Sequence, residues 1–104
     1  MRVADTASRY RSVIYAQCDR RKSTRERYFF KSSGRLNMAA VARDIGVTQS
    51  ILSRTLTGGT DPKRDFRDKL WKWTDHTDPV DFEDEFWNAS PAPDEVWPVR
   101  WRLH

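Results

Sequence analysis

Apolar and polar positions in residues 36–59, LNMAAVARDIGVTQSILSRTLTGG, follow a helical period, break once and resume. Met38, Val41, Ala42 and Ile45 fall at i, i+3, i+4 and i+7, which is one face of a helix. Arg43 and Asp44 lie off that face. Asn37 precedes it as an N-cap, because its side chain can accept from backbone N–H groups one turn on. Gly46 follows the last apolar position, where the chain must often adopt positive φ and only glycine does so cheaply. Val47 can plug the angle beyond the turn, and Thr48 is the next N-cap. Leu52 and Leu56, at i and i+4, then point to a core, while Gln49, Ser50, Ser53 and Arg54 point outward. Gly58 and Gly59 stop the helix. The pattern predicts two short helices joined by a tight turn over residues 37–57.

The flanks also read as helical. Residues 4–22 contain no Gly or Pro, and Ala7, Tyr10, Ile14 and Cys18 share a face. Ser23-Thr24-Arg25-Glu26 fits a capping box. A second helix is expected there, carrying Tyr28, Phe29 and Phe30 and ending near Ser32-Ser33-Gly34. The pattern does not separate two adjacent helices from one long one. The basic cluster 20–27 is either a phosphate-contacting patch or solvated helix surface. After the Gly pair, Asp61 is an N-cap and Pro62 a first-turn residue. Phe66, Leu70 and Trp73 then pack inward. Trp71 lies off that face and serves either a subunit interface or cover by the tail. The expected fold is mainly α: a compact bundle of about five helices with a central helix-turn-helix, plus an irregular or short-strand C-terminal tail.

That tail is a different material. Residues 1–74 hold 17 Lys and Arg against 7 Asp and Glu, a net +10, whereas residues 75–104 hold 2 against 8, a net −6. The division suggests a helical body over 1–74 and an acidic, Trp-rich tail over 75–104. Residues 88–94 are Pro- and Ala-rich and read as a turn or linker. In residues 95–104, Trp97, Val99, Trp101 and Leu103 alternate with polar positions and Pro98, a period-2 pattern that fits an edge strand. A lone strand needs a partner. Pairing with the same strand of a second copy would make these four residues a dimerisation element. The other reading lays the tail back over the helices, its Trp residues filling grooves.

Composition narrows the chemistry. The chain has 104 residues and a formal net charge of +4, which fits one small domain. A +10 body suits polyphosphate binding, whose affinity comes largely from counterion release. RNA or an acidic protein would be attracted as well. Cys18 is the single cysteine, so it forms no internal disulfide and fits a reducing cytoplasm. His76 and His104 are too scattered for a metal site, and no metal or cofactor is expected. No apolar run approaches the ~18–20 residues of a membrane span. No Ser/His/Asp set, Cys/His set or phosphate loop suggests an enzyme.

The helix-turn-helix stretch resembles the lambda-repressor-like superfamily, both its Cro and phage-repressor group and the headpiece of lactose-repressor-type regulators. The matching residues are Val41-Ala42, Gly46-Val47-Thr48, Leu52-Ser53-Arg54, Leu56 and Gly58. Ala42 stands at the helix crossing and Gly46 at the turn, as in that family. Thr55 departs from it, standing where an apolar side chain is usual. The resemblance implies a second helix in the major groove of double-stranded DNA, with Gln49, Ser50 and Arg54 reading bases and Ser53 as a lesser candidate. The chemistry agrees: Gln pairs two-pronged with adenine and Arg with guanine, while Ser discriminates less. For Arg54 the other reading is a solvated side chain or an intramolecular salt bridge. Asn37, Arg43, Thr48, Thr57, Lys63 and Arg64 are expected at phosphates. The function expected is a sequence-specific transcriptional regulator of bacterial or phage type, a cytoplasmic, dimeric repressor. The alternative is a protein-interaction module, such as an antitoxin or phage-encoded inhibitor or adaptor, that engages a protein partner through the tail.

Overall fold

The computed structural model describes residues 3–20, 25–59, 62–75 and 78–98. Val3–Arg20 forms α1, uninterrupted by Gly or Pro. It buries Ala7, Tyr10, Val13, Ile14 and Cys18 along one stripe, the helical period read from the sequence. Arg25–Tyr28 is a single turn, α2. Met38–Ile45 is α3 and Gln49–Leu56 is α4. Arg64–Trp73 is α5 and Pro79–Asn88 is α6. Asp94–Val96 adds a 3-10 turn. Among the described residues the protein is a mainly α bundle, with five helices of eight residues or more.

The region after α1 departs from expectation. The helix expected to run through Phe30 towards Gly34 ends at Tyr28. Phe29 pairs instead with Leu36 in an isolated antiparallel bridge. Phe30 N donates to the Arg35 carbonyl at 2.8 Å, and Gly34 N to the Phe30 carbonyl at 2.8 Å. Gly34 has φ 71°, a conformation that closes this tight loop at little cost in a glycine. Tyr28 and Phe29 are both buried whereas Phe30 is exposed. Tyr28 is buried from the last position of α2 and Phe29 from the bridge that follows it. Ser23 and Thr24 of the expected capping box lie outside the described residues.

The start of α5 also shifts. Lys63 is extended (φ −82°, ψ 165°) and makes no side-chain cap, so the first helical residue is Arg64 rather than Pro62. Asp61, the expected cap, lies outside the described residues. Phe66, Leu70 and Trp73 are buried as the i, i+4, i+7 spacing requires. The tail, expected to be irregular or a short strand, instead contains the helix α6. Asp78 caps it through a 2.8 Å bond from Val80 N, with Pro79 in the first turn. Phe82 and Phe86, one turn apart, are buried, and α6 lies along α1. The Phe86 ring meets Tyr10 edge-on at 4.9 Å, and Tyr10 meets Phe66 at 5.9 Å.

Opposite charges hold the same seam. Arg20 pairs with Glu85 at 2.9 Å and Arg67 with Glu83 at 3.1 Å. Arg9 donates to the Trp87 carbonyl at 2.8 Å and stacks over the Trp87 ring at 4.5 Å. Further on, Trp97 is buried in the same core cluster as Phe82 and Phe86. Leu36 N donates to the Val96 carbonyl at 2.7 Å, which docks the tail on the 29–36 loop. Among the described residues no helix is long and apolar enough to cross a membrane.

Two outcomes check this packing. Phe86→Ala removes a ring clamped between α1 and α6 and is expected to cost about 3 kcal/mol of unfolding free energy, read by urea denaturation. A loss under about 1 kcal/mol would mean that α6 is not part of the core. Gly46→Ala is expected to cost about 1 kcal/mol, because Gly46 sits at φ 97° where a Cβ is strained. Its added Cβ meets only Lys69 Cδ, at 3.8 Å, so the penalty is conformational. Gly59→Ala, where φ is not left-handed and the nearest atom is 3.5 Å away, is the control and should be neutral or stabilising.

Candidate nucleic-acid interface

The α3–α4 pair is fixed from its inner side. Asn37 Oδ1 accepts from Ala40 N at 3.3 Å, starting α3. Gly46 N and Val47 N both donate to the Ala42 carbonyl, at 2.9 and 3.0 Å, so the left-handed glycine turns the chain while closing α3. Thr48 Oγ1 accepts from Ile51 N at 3.2 Å and starts α4. Ala42 is buried, small enough for close approach of the two helices, and Val41, Leu52 and Leu56 are wholly buried beside it. Each of these local roles matches the sequence reading.

Neighbouring helices then brace the pair. Lys69 Nζ on α5 donates to the Gly46 carbonyl at 3.1 Å and pairs with Asp65 at 3.1 Å. Arg11 on α1 donates to the Leu56 carbonyl, capping the last turn of α4. Asp44, on α3, accepts from the Tyr28 hydroxyl at 2.7 Å and from Arg27 at 2.6 Å. Trp73 Nε1 donates to the same hydroxyl at 3.4 Å, and its ring meets Tyr28 edge-on at 5.9 Å. These bonds tie α1, α2 and α5 to the two helices and to the turn between them.

What is left outside is a polar stripe. Gln49, Ser50 and Arg54 are exposed, and Ser53 is half-buried on the flank. Among the described residues Arg54 forms no salt bridge. Thr48 and Thr57 are exposed at the two ends of α4. The Thr57 hydroxyl donates back to the Ser53 carbonyl at 2.8 Å.

Lys63 is exposed at the start of α5, and Arg64 has a 95 % exposed side chain only 4.0 Å from Asp68. An open groove of about 400 Å³ is lined by Val47, Thr48, Ile51, Arg54, Lys63 and Phe66, among others. It brings Thr48, Arg54 and Lys63 to one place. Asn37 and Arg43 stand apart, at the start and in the last turn of α3. Asn37 is half-buried with its side-chain oxygen committed to the cap, whereas Arg43 is exposed.

Other assignments come out differently. In the basic cluster, Arg20 pairs with Glu85 and Arg27 with Asp44, so these two guanidinium groups already have intramolecular anions. Arg21 and Lys22 lie outside the described residues. Trp71 is half-buried and lines a groove with Phe82 and Glu83 of α6, which favours cover by the tail. Of the four residues expected to dimerise, Trp97 is 4 % exposed in the chain's own core. Val99, Trp101 and Leu103 lie outside the described residues. Residues 95 and 96, the expected start of the strand, belong to the 3-10 turn instead. Among the described residues no cluster of His, Cys, Asp or Glu could hold a metal ion.

The sequence reading gave no role to Ile51, which is 41 % exposed on α4. Its position off the Leu52–Leu56 stripe is readable from the helical period. Thr55 is the converse: 2 % exposed, with a hydroxyl that has no hydrogen-bond partner among the described residues. It turns inward on the last turn of α4, and Leu56 beside it carries the apolar packing. Burying an unpaired hydroxyl costs about 1–3 kcal/mol. Thr55→Val is therefore expected to raise stability by about 1 kcal/mol, measured as an increased denaturation midpoint. A loss of stability would show that the hydroxyl has a partner in solution.

No family model, curated protein or solved structure matches this chain.

Proposed function

We propose that this protein is a sequence-specific double-stranded DNA-binding transcriptional regulator of bacterial or phage type, akin to the lambda-repressor-like group, that sets α4 in the major groove. The observation that carries the reading is the division of α4. Its inner flank is locked by Leu52, Leu56 and the Arg11 bond, while Gln49, Ser50 and Arg54 face solvent. Those side chains have the donors and acceptors that base edges require: Arg for guanine O6 and N7, Gln for adenine N6 and N7.

The flanking groups fit backbone contact. Thr48 at the α4 N-terminus, with Lys63 across the groove and Arg64 next to it at the start of α5, offers hydroxyl, backbone N–H and positive charge to phosphates. Arg43 adds a further exposed cation, on α3. On the α6 seam, Arg20 and Arg67 are paired with Glu85 and Glu83, so part of the tail's acidity is neutralised against helices other than α4. In this reading two copies would occupy two half-sites separated by a whole number of helical turns.

Selection of bound sequences from random duplex DNA tests the proposal directly. A defined motif is expected, and a palindrome would give the half-site spacing of a dimer. Arg54→Ala should weaken binding to the selected site by about 5- to 150-fold, the equivalent of one two-pronged base contact at ~1–3 kcal/mol. It should leave the salt-dependent binding to unrelated DNA in place. Recovery of no motif at low salt would refute the reading. A motif that Arg54→Ala reads as well as the parent chain would remove Arg54 from the reading surface.

A further inference from the structure

Ile51 is the apolar exception on the outer side of α4. Its neighbours along the exposed face are Gln49, Ser50 and Arg54, yet its own side chain is 41 % exposed. It is not part of the core cluster, in which Leu52 and Leu56 are wholly buried. It lines the groove between α4 and the start of α5, beside the half-buried Val47 and with Arg54 and Lys63 in the same lining. Two branched aliphatic side chains thus line a groove that also carries the Lys69–Asp65 pair and two cations, Arg54 and Lys63, without ion pairs among the described residues.

Resting on the proposed function, we infer that Ile51, backed by Val47, is a specificity-determining residue that receives the 5-methyl group of a thymine. The major groove presents hydrogen-bonding edges and one apolar group, the thymine methyl. An aliphatic side chain there gains nothing from a guanine, adenine or cytosine edge and covers the polar groups those bases expose. A methyl group removes apolar surface from water on both partners. The anionic sugar-phosphate that must accompany the base suits the Lys63 side of the groove.

The geometry also places that thymine. Ile51 and Arg54 are three residues apart, ~4.5 Å along a helix rising 1.5 Å per residue. Stacked bases are ~3.4 Å apart along each strand. The thymine touched by Ile51 and the guanine read by Arg54 therefore fall within about one or two base steps of each other. The recognised half-site then holds a T·A pair within about one or two steps of a G·C pair, read by one apolar and one two-pronged contact.

Uracil replacement isolates the methyl group without altering base pairing. In the selected duplex, exchanging that thymine for uracil should raise Kd about fourfold, the worth of one buried methyl-sized group. Exchanges at thymines elsewhere in the site should change little. Ile51→Ala, at an exposed position that the core does not use, should weaken binding to the thymine duplex and abolish the difference between thymine and uracil. Ile51→Val should keep part of it. An Ile51→Ala chain that still distinguishes the two bases overturns the inference, as does a parent chain indifferent to uracil at every thymine. In both cases a recovered motif leaves the proposed function standing, whereas the absence of any motif removes both readings.

Discussion

Burial of Leu52 and Leu56 against α1 and α3 is the constraint on which the rest of the molecule turns. α4 has eight residues, and an isolated helix of that length is not stable in water. Its existence and its rotation about its own axis are both set by those two side chains, each wholly buried. Fixing them inward fixes Ser50 and Arg54 outward, since positions two residues away lie near the opposite side of a 3.6-residue turn. The Gly46 turn is subordinate to this. It lets the chain reverse without strain, but the apolar flank decides which face of α4 the reversal presents.

Charge is partitioned around that core. The acidic tail contributes Glu83 and Glu85 to Arg67 and Arg20, and its Trp87 ring lies under Arg9. Exposed ion pairs of this kind add less than about 1 kcal/mol each. Their larger consequence is location. Arg20 of α1 and Arg67 of α5 are matched by carboxylates of α6 and Arg43 lies 4.0 Å from Asp44 on its own helix, whereas Arg54 and Lys63 have no salt bridge among the described residues. A chain of net charge +4 thereby keeps cations without a salt bridge among the described residues on α4 and just ahead of α5.

Local rules made the central motif legible in the sequence. Asn37, Gly46 and Thr48 each act through atoms within a few residues, and the apolar period needs only a single helix to be read. The flanks were harder because their structure depends on partners far along the chain. Phe29 leaves the helix to bridge Leu36, whose N–H in turn bonds to Val96, and nothing near Phe29 in sequence announces either contact. α6 was hidden by composition: Asp81, Glu83, Asp84 and Glu85 mark the segment as an acidic tail. Yet Phe82 and Phe86 at i and i+4, with Asp78 and Pro79 ahead of them, are a helix signal of the same kind as Leu52 and Leu56. At the candidate site, exposure of Gln49, Ser50 and Arg54 followed from the period. The inward turn of Thr55, at i+3 from Leu52, followed from it too; the lack of a hydrogen-bond partner for its hydroxyl among the described residues did not, since that depends on the helices packed against it.

Bracing from three directions also bears on how such a surface would bind. Thr48 holds the first turn of α4, Arg11 its last carbonyl, and Lys69 the carbonyl of the turn before it. The Tyr28–Asp44–Arg27 bonds hold α3 to α2. The backbone under Gln49, Ser50 and Arg54 is therefore ordered before any partner arrives. What remains to be ordered on binding is side-chain freedom, about 0.5–1.5 kcal/mol for each long side chain immobilised. One short helix offers few contacts of 1–3 kcal/mol apiece, so a molecule of this size cannot also spend them on folding a loop. Under the proposed function, pre-ordering α4 would make such a small surface usable. It also explains why the bonds that achieve it come from α1, α2 and α5 rather than from the motif alone.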